Sequence, residues 1–341
     1  MQFSRRLWVA AACTVAVLVA APAVHAQGNK VLPSDTELVM TINIQQILKS
    51  EVLKTEQSKI IVELAKAKIQ EQLDDKGVGK YLKKAGFDVF KDLGSVTVAI
   101  PGGRNPEEAF ILLEGKFDSE KIEAAVMDAS KEAGGDVKVK SLKIANTSAF
   151  EVTPKDEKTM YVGVLNEKTM IACATKADFT EAVARAGGTK AATFKAPAFN
   201  KLLETVNTKQ SISFAATAKV MAKLAENNPN AGNDQAKMAM AFIDKTEGFS
   251  AAITIQKNID VQLGLNTKDA EKAQEFAGVV SAGLIVGKAK VADLAKQNEK
   301  LAPAMDVMNS IKINTKGTNL VITGTVTFET LTKLLENLPM P

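Results

Sequence analysis

Two apolar runs, MYVGVL and TMIACAT, stand three residues apart, separated only by Asn166-Glu167-Lys168. Runs that close fold back on each other, which predicts a β-hairpin and commits the chain to antiparallel pairing. The same device recurs. EGFSAAITI and NIDVQLGLN turn at Lys257-Asn258, and SIKINTKGTNLVITGTVTF turns at Lys316-Gly317. SVTVAI (95–100) and AFILLEG (109–115) are joined by the turn-rich PGGRNPEE, and ELVMTINI (37–44) alternates through Leu38, Met40 and Ile42.

Helical periodicity fills the gaps. Ile61, Ala65, Ile69 and Leu73 recur every fourth residue. Asp118 or Ser119 is placed to cap a helix whose apolar face is Ile122, Ala125, Val126 and Ala129, ending at Gly134-Gly135. Gly86 fits the left-handed position after a helix. Thr175 and Asp178 resemble a capping box for a helix that stops at Gly187-Gly188. Further helices are expected at Lys219–Glu226, from Thr267 through Ala270, Ala273, Phe276 and Ala277, and in ETLTKLLENL before Pro339. The fold class is α+β: mostly antiparallel sheets with amphipathic helices on one face.

Both halves read strand–helix–strand–strand–helix–strand, with FILLEGKFDSEKIEAAV corresponding to VQLGLNTKDAEKAQEFA. That order is compatible with two ferredoxin-like lobes from a degenerate duplication, or with an α+β chain that merely repeats its hairpins. The expected organisation is a leader over 1–26, an N-terminal lobe over 27–190 and a C-terminal lobe over 191–341. Asn227–Asp234 (NNPNAGND) is an expected loop in the second lobe.

The leader carries Arg5 and Arg6, an uncharged apolar run from Leu7 to Ala21, and Val24-His25-Ala26 before Gln27. This is the layout of a secretory signal peptide, with the cut expected between Ala26 and Gln27. The run is shorter than the ~20 residues that span a bilayer comfortably, against an uncleaved anchor. SRRLWV also has the look of a twin-arginine address, but nothing downstream suggests a cofactor to be carried, and the general secretory route is preferred. Lipidation at Cys13 is disfavoured because the apolar run continues past it. The expected location is periplasmic or secreted, with no membrane-spanning segment left after the cut.

Removing residues 1–26 removes the only histidine, the only tryptophan, one of two cysteines and two of four arginines. Lysine plus arginine falls from 43 to 41 against 39 acidic residues, a net charge near +2. Without histidine, Ser-His-Asp and Cys-His catalysis are closed to the mature chain. One thiol cannot build an ordinary zinc site or an internal disulfide. Two arginines and a near-neutral charge argue against nucleic acid as a partner.

Several blocks carry a resemblance. VLPSDTELVMTINIQQILKS, KKAGFDVFKDLGSVTVAIPGG, LLEGKFDSEKIEAA and APAMDVMNSIKINTKGTNLVITGTVT are similar to those of an uncharacterised family of secreted proteins common in planctomycete-type bacteria. The resemblance covers most of the mature chain and rests on structural blocks. It implies export and these element boundaries, and it transfers no activity and no catalytic residues.

No motif names a chemistry. Ser250 lies in GFSAA, which lacks the last glycine of a nucleophile elbow, and reads as a strand residue. Gly77-Val78-Gly79 is too short for a dinucleotide fingerprint. Asp74-Asp75 and Glu107-Glu108 read as solvated turn carboxylates. Met221, Met238, Met240, Met305 and Met308 could line an adaptable groove but read first as core. Cys173, alternating with Met and Ile, reads as a buried inert thiol. Tyr81 and Tyr161 are too few for a sugar platform. No catalytic, cofactor-binding or metal-binding residues are assigned and no cofactor is expected. The expected function is a non-enzymatic binding or structural protein of the cell envelope, with a protein, lipid or other envelope component as partner. The alternatives are a carrier holding an apolar ligand between helices and sheet, and a carboxylate-based hydrolase.

Overall fold

Twelve strands join in one sheet: β1 (Thr36–Asn43), β2 (Leu93–Pro101), β3 (Phe110–Gly115), β4 (Val137–Ile144), β5 (Thr147–Pro154), β6 (Met160–Asn166), β7 (Thr169–Cys173), β8 (Ile212–Thr217), β9 (Thr246–Ile255), β10 (Ile259–Thr267), β11 (Lys312–Lys316) and β12 (Asn319–Val326). They come from a computed structural model that describes residues 28–75, 77–133, 136–155, 158–190, 193–206, 210–226 and 240–336. The expected leader and its expected cut at Ala26–Gln27, the expected loop at Asn227–Asp234, Gly134-Gly135 and Met238 lie outside the described residues.

The strand order is β11-β12-β10-β9-β8-β1-β2-β3-β7-β6-β5-β4. Every neighbouring pair is antiparallel. The fold is therefore α+β with an antiparallel sheet, as the hairpins require. The ferredoxin-like expectation is corrected. In a split βαβ unit another strand is inserted between the two joined by the helix. Here β2 lies directly beside β1, with Val39 opposite Ala99, although a long helical excursion separates them in sequence.

The two expected lobes share this sheet, because β1 pairs with β8 on its other edge, with Val39 opposite Ala215. They also share a core cluster: Leu32, Val39, Phe110, Leu112, Ile171 and Phe179 pack with Phe199, Leu202 and Ala215. The boundary at 190/191 therefore does not separate two cores.

The helices are α1 (Ile44–Leu48), α2 (Glu56–Asp75), α3 (Val78–Lys84), α4 (Val89–Asp92), α5 (Ser119–Glu132), α6 (Lys176–Ala186), α7 (Pro197–Thr205), α8 (Ala218–Glu226), α9 (Ala270–Gln297), α10 (Ala302–Ser310) and α11 (Phe328–Glu336). Successive strand residues point to opposite faces. On one face Ile42 and Val96 pack with Ile44 and Ile47 of α1 and with Phe117, Val89 and Ile122. Leu38 and Ala216, on the same face, pack with Val220 of α8, and Leu265 packs with Phe276 of α9. The opposite face, that of Val39 and Ala99, takes Phe179 and Ala182 of α6 and Phe199 and Leu202 of α7. The expectation of helices on one face thus holds for most of them, and α6 and α7 are the exceptions. They are placed there by the chain's return from β7 at the N-terminal side of the sheet to β8 at its centre.

Local signals agree with the backbone. Asp118 caps α5 by accepting the Lys121 N–H at 3.1 Å, and Thr175 caps α6 by accepting the Asp178 N–H at 3.1 Å. Gly86 has φ +65°. Ser250 is a buried strand residue. Glu107 and Glu108 are answered by Lys158 at 3.9 and 3.3 Å. Cys173 is 1% exposed, donates to the Thr175 carbonyl, and burial pushes its thiol well above the usual range. On α9, Val279, Ile285 and Val286 are exposed. Among the described residues no helix is long and apolar enough to cross a membrane.

Candidate functional site: an apolar cavity between helices and sheet

The first half of the sheet is roofed by α3 and α5. Gly77 takes φ +69°, which reverses the chain after α2, and a side chain at Gly79 would have to displace the Asp74 carboxylate. This turn presents Val78, Tyr81, Leu82 and Ala85 along one face of the α3 segment, at helical spacing. Beside them stand Ile122, Ala125, Val126 and Ala129, the apolar face that periodicity predicts for α5. The floor comes from three strands. Ile111 lies opposite Ala172 and Leu113 opposite Met170. Val162 also faces Ala172 from the other side.

Roof and floor do not meet. Between them lies an apolar cavity of about 230 Å³ that is partly open to solvent. Its cause is side-chain size: Ala85, Ala125, Ala129 and Ala172 stand where larger residues would close the gap. Tyr81, Leu82, Met160 and Met170 consequently stay only half-buried although they sit between two layers. Phe87 and Phe117 stand at one end as a stacked pair, with ring centroids 5.4 Å apart and planes 9° from parallel.

An ionic latch fastens the two roof helices. Glu132 at the end of α5 receives Lys80, the Tyr81 hydroxyl at 2.9 Å and Lys84 at 3.4 Å. Lys84 also reaches Asp128 at 3.2 Å. Lys80 and Tyr81 hold the Glu132 carboxyl down to about 2. Its pKa is depressed on folding. The latch is therefore complete above the ordinary carboxylate range and is lost as pH falls through about 2. Each pair is solvent-exposed, so the latch is weak contact by contact and acts as a network. Glu132→Gln is expected to speed amide hydrogen exchange across residues 78–85 while leaving exchange in β3 and β7 unchanged. Equal protection of α3 in both proteins would contradict the latch.

Past the Phe87–Phe117 pair, a second and polar cleft of about 850 Å³ opens at the end of the sheet. Ala85, Phe87, Phe117 and Ile122 line both spaces. The loop between β3 and α5 is pinned there by backbone bonds, Gly115 N–H to the Lys168 carbonyl, Phe117 N–H to Glu167 and Lys116 N–H to Asp92.

The residues singled out in sequence fall mostly outside this site. Met221 packs in the cluster under α8, and the Met308 methyl lies near Gly287. The methionines at the cavity are Met160 and Met170, of the first half. Asp74 pairs with Lys83, and Ser250 is in β9. Among the described residues no group of three or more His, Cys, Asp or Glu side chains could hold a metal. Of the helical cavity walls, the α5 face and Leu73 of the α2 stripe are marked in the sequence. The floor depends on β3, β6 and β7 lying side by side, which periodicity within one segment cannot reveal.

No family model matches the chain, and no curated protein matches it. Among solved structures it is similar to the Treponema protein TP0453. Crystal form III of that protein gives 11% identity and a TM-score of 0.44, over 92% of this chain and 99% of that one. Crystal form I gives 10% identity and a TM-score of 0.44, over 92% and 98%.

Proposed function

We propose that this chain is an exported, non-catalytic binding protein that carries an apolar ligand in the cavity beneath α3 and α5. The cavity itself is the observation that carries this reading. The cavity is lined almost wholly by apolar side chains and is partly open to solvent, so water held in it finds few hydrogen-bond partners. A ligand chain filling the space recovers about 0.8 kcal/mol for each methylene it buries. The volume exceeds the ~150 Å³ that admits benzene and falls below the ~300 Å³ of drug-sized pockets, which suits one acyl chain.

The leader, the lysine-rich near-neutral surface and the resemblance to secreted planctomycete-type proteins support export and an envelope role. The similar element order of the two halves supports descent from a duplicated unit. The hydrolase alternative calls for a carboxyl held protonated near neutrality. The carboxylates with shifted values, Glu132, Glu181 and Glu275 among them, are all shifted downward, which favours binding.

Native mass spectrometry of the exported chain tests the proposal. A lipid-sized adduct is expected, removed by solvent extraction and restored by a dodecyl-chain compound. A chain that is ligand-free as isolated and takes up no alkyl compound would overturn it.

A further inference from the structure

We propose that the ligand is a single-chain amphiphile with a zwitterionic head group, its chain in the apolar cavity and its head in the adjoining polar cleft. This rests on the carrier reading and names its ligand class.

The two spaces are neighbours, with Phe87 and Phe117 lining both. A charged head cannot enter the apolar cavity, because nothing there replaces its hydration. It must sit where the chain emerges, and the polar cleft lies beyond the stacked phenylalanines. The cleft offers charges of both signs. Lys116 and Lys168 stand on the β3–α5 loop and the β6–β7 turn, and neither has an ion pair among the described residues. Glu120 and Glu167 line the same cleft and likewise have none there. The other charges are engaged: Asp118 pairs with Lys121 at 2.9 Å, and Asp92 accepts the Asp88 N–H at 2.8 Å. These two cations and two anions, exposed along one cleft and without an ion pair among the described residues, complement a head that carries both signs. A purely anionic head would face Glu120 and Glu167.

Calorimetric titration of the mature chain with dodecanol, dodecanoate and dodecylphosphocholine, each below its micelle concentration, separates the possibilities. Dodecylphosphocholine is expected to bind at least about tenfold more tightly than the other two, since charge-assisted contacts add to chain burial. The double variant Lys116→Ala, Lys168→Ala is expected to lose that advantage while its affinity for dodecanol is unchanged. Equal affinity for dodecanol and dodecylphosphocholine overturns the head-group assignment and leaves the cavity reading standing. So does tighter binding of dodecanoate, or a variant that weakens all three alike. Failure of all three to bind the unmodified chain sinks the cavity reading and this inference with it.

Discussion

Asp178→Ala is expected to destabilise the protein by about 2–4 kcal/mol, a little under the ~3–5 kcal/mol of stranding a fully buried charge because Arg104 is partly exposed. Asp178 lies in the first turn of α6 with its side chain 6% exposed, and its two oxygens take Arg104 in a two-pronged pair. Arg104 comes from the loop between β2 and β3 and is 24% exposed, so the pair ties α6 to the far end of two central strands. Asp178 raises the Arg104 pKa, and the guanidinium is charged even without a partner, so removing Asp178 leaves a charge behind. Asp35, 3.4 Å from Arg104, is more exposed and replaces only part of the lost contact. Urea unfolding of the variant measures the loss. Arg104→Met combined with Asp178→Leu is expected to recover most of it, because an apolar pair needs no charge compensation. A loss below about 1 kcal/mol in the single variant, the range of surface pairs, would contradict this account.

Ala125→Phe is expected to move stability and binding in opposite directions. Ala125 is 6% exposed on the cavity face of α5. A phenyl ring there enters empty space instead of occupied core, so the usual penalty for overpacking is replaced by a gain of about 1–3 kcal/mol from added apolar burial. The same ring occupies the ligand's place, and affinity for a dodecyl chain is expected to fall by at least about tenfold, or ~1.4 kcal/mol. Thermal unfolding and calorimetry on one preparation read both effects. Ala129→Leu, a smaller change on the same face, is expected to do the same more weakly. Destabilisation together with unchanged binding in both variants would place the ligand elsewhere.

Much of the scaffold is legible in the amino-acid sequence. Hairpin spacing sets the antiparallel pairs, and Asp118, Thr175 and Gly86 mark helix ends through local backbone chemistry. The face Ile122, Ala125, Val126, Ala129 is visible because helical periodicity is a property of one segment. The cavity is not, since it is a relation between segments. Its floor joins Ile111 and Leu113 to Met160, Val162, Met170 and Ala172 through strand neighbours that are distant in sequence. The methionines of the second half draw notice by number alone. Met160 and Met170 look like ordinary strand residues until β6 and β7 are laid beside β3. Nor does the sequence show that α6 and α7 cross to the other face. Their apolar stripes state that they are buried and not against which side.

The two arginines among the described residues, Arg104 and Arg185, both hold α6 in place. Arg185, its side chain 1% exposed, donates through Nε to Glu181 at 3.1 Å and through Nη2 to the Thr193 carbonyl at 3.2 Å. Burial pushes Glu181 up, but the bonds from Lys190 and Ser34 and the nearby Arg185 charge outweigh it and hold the carboxyl below its usual range. Stability from this group is therefore present above the ordinary carboxylate pKa and declines as pH falls below it. With guanidiniums used for structure, the polar cleft is left to lysines.

The most direct measurement is a methyl spectrum of the protein labelled at the methionine ε-carbons, titrated with a dodecyl-chain compound. Met160 and Met170 line the cavity, while Met221 and Met308 pack elsewhere. The account predicts that the Met160 and Met170 signals shift together and saturate while those of Met221 and Met308 hold still. Shifts confined to Met221 or Met308, or no shift at any methionine, would contradict it.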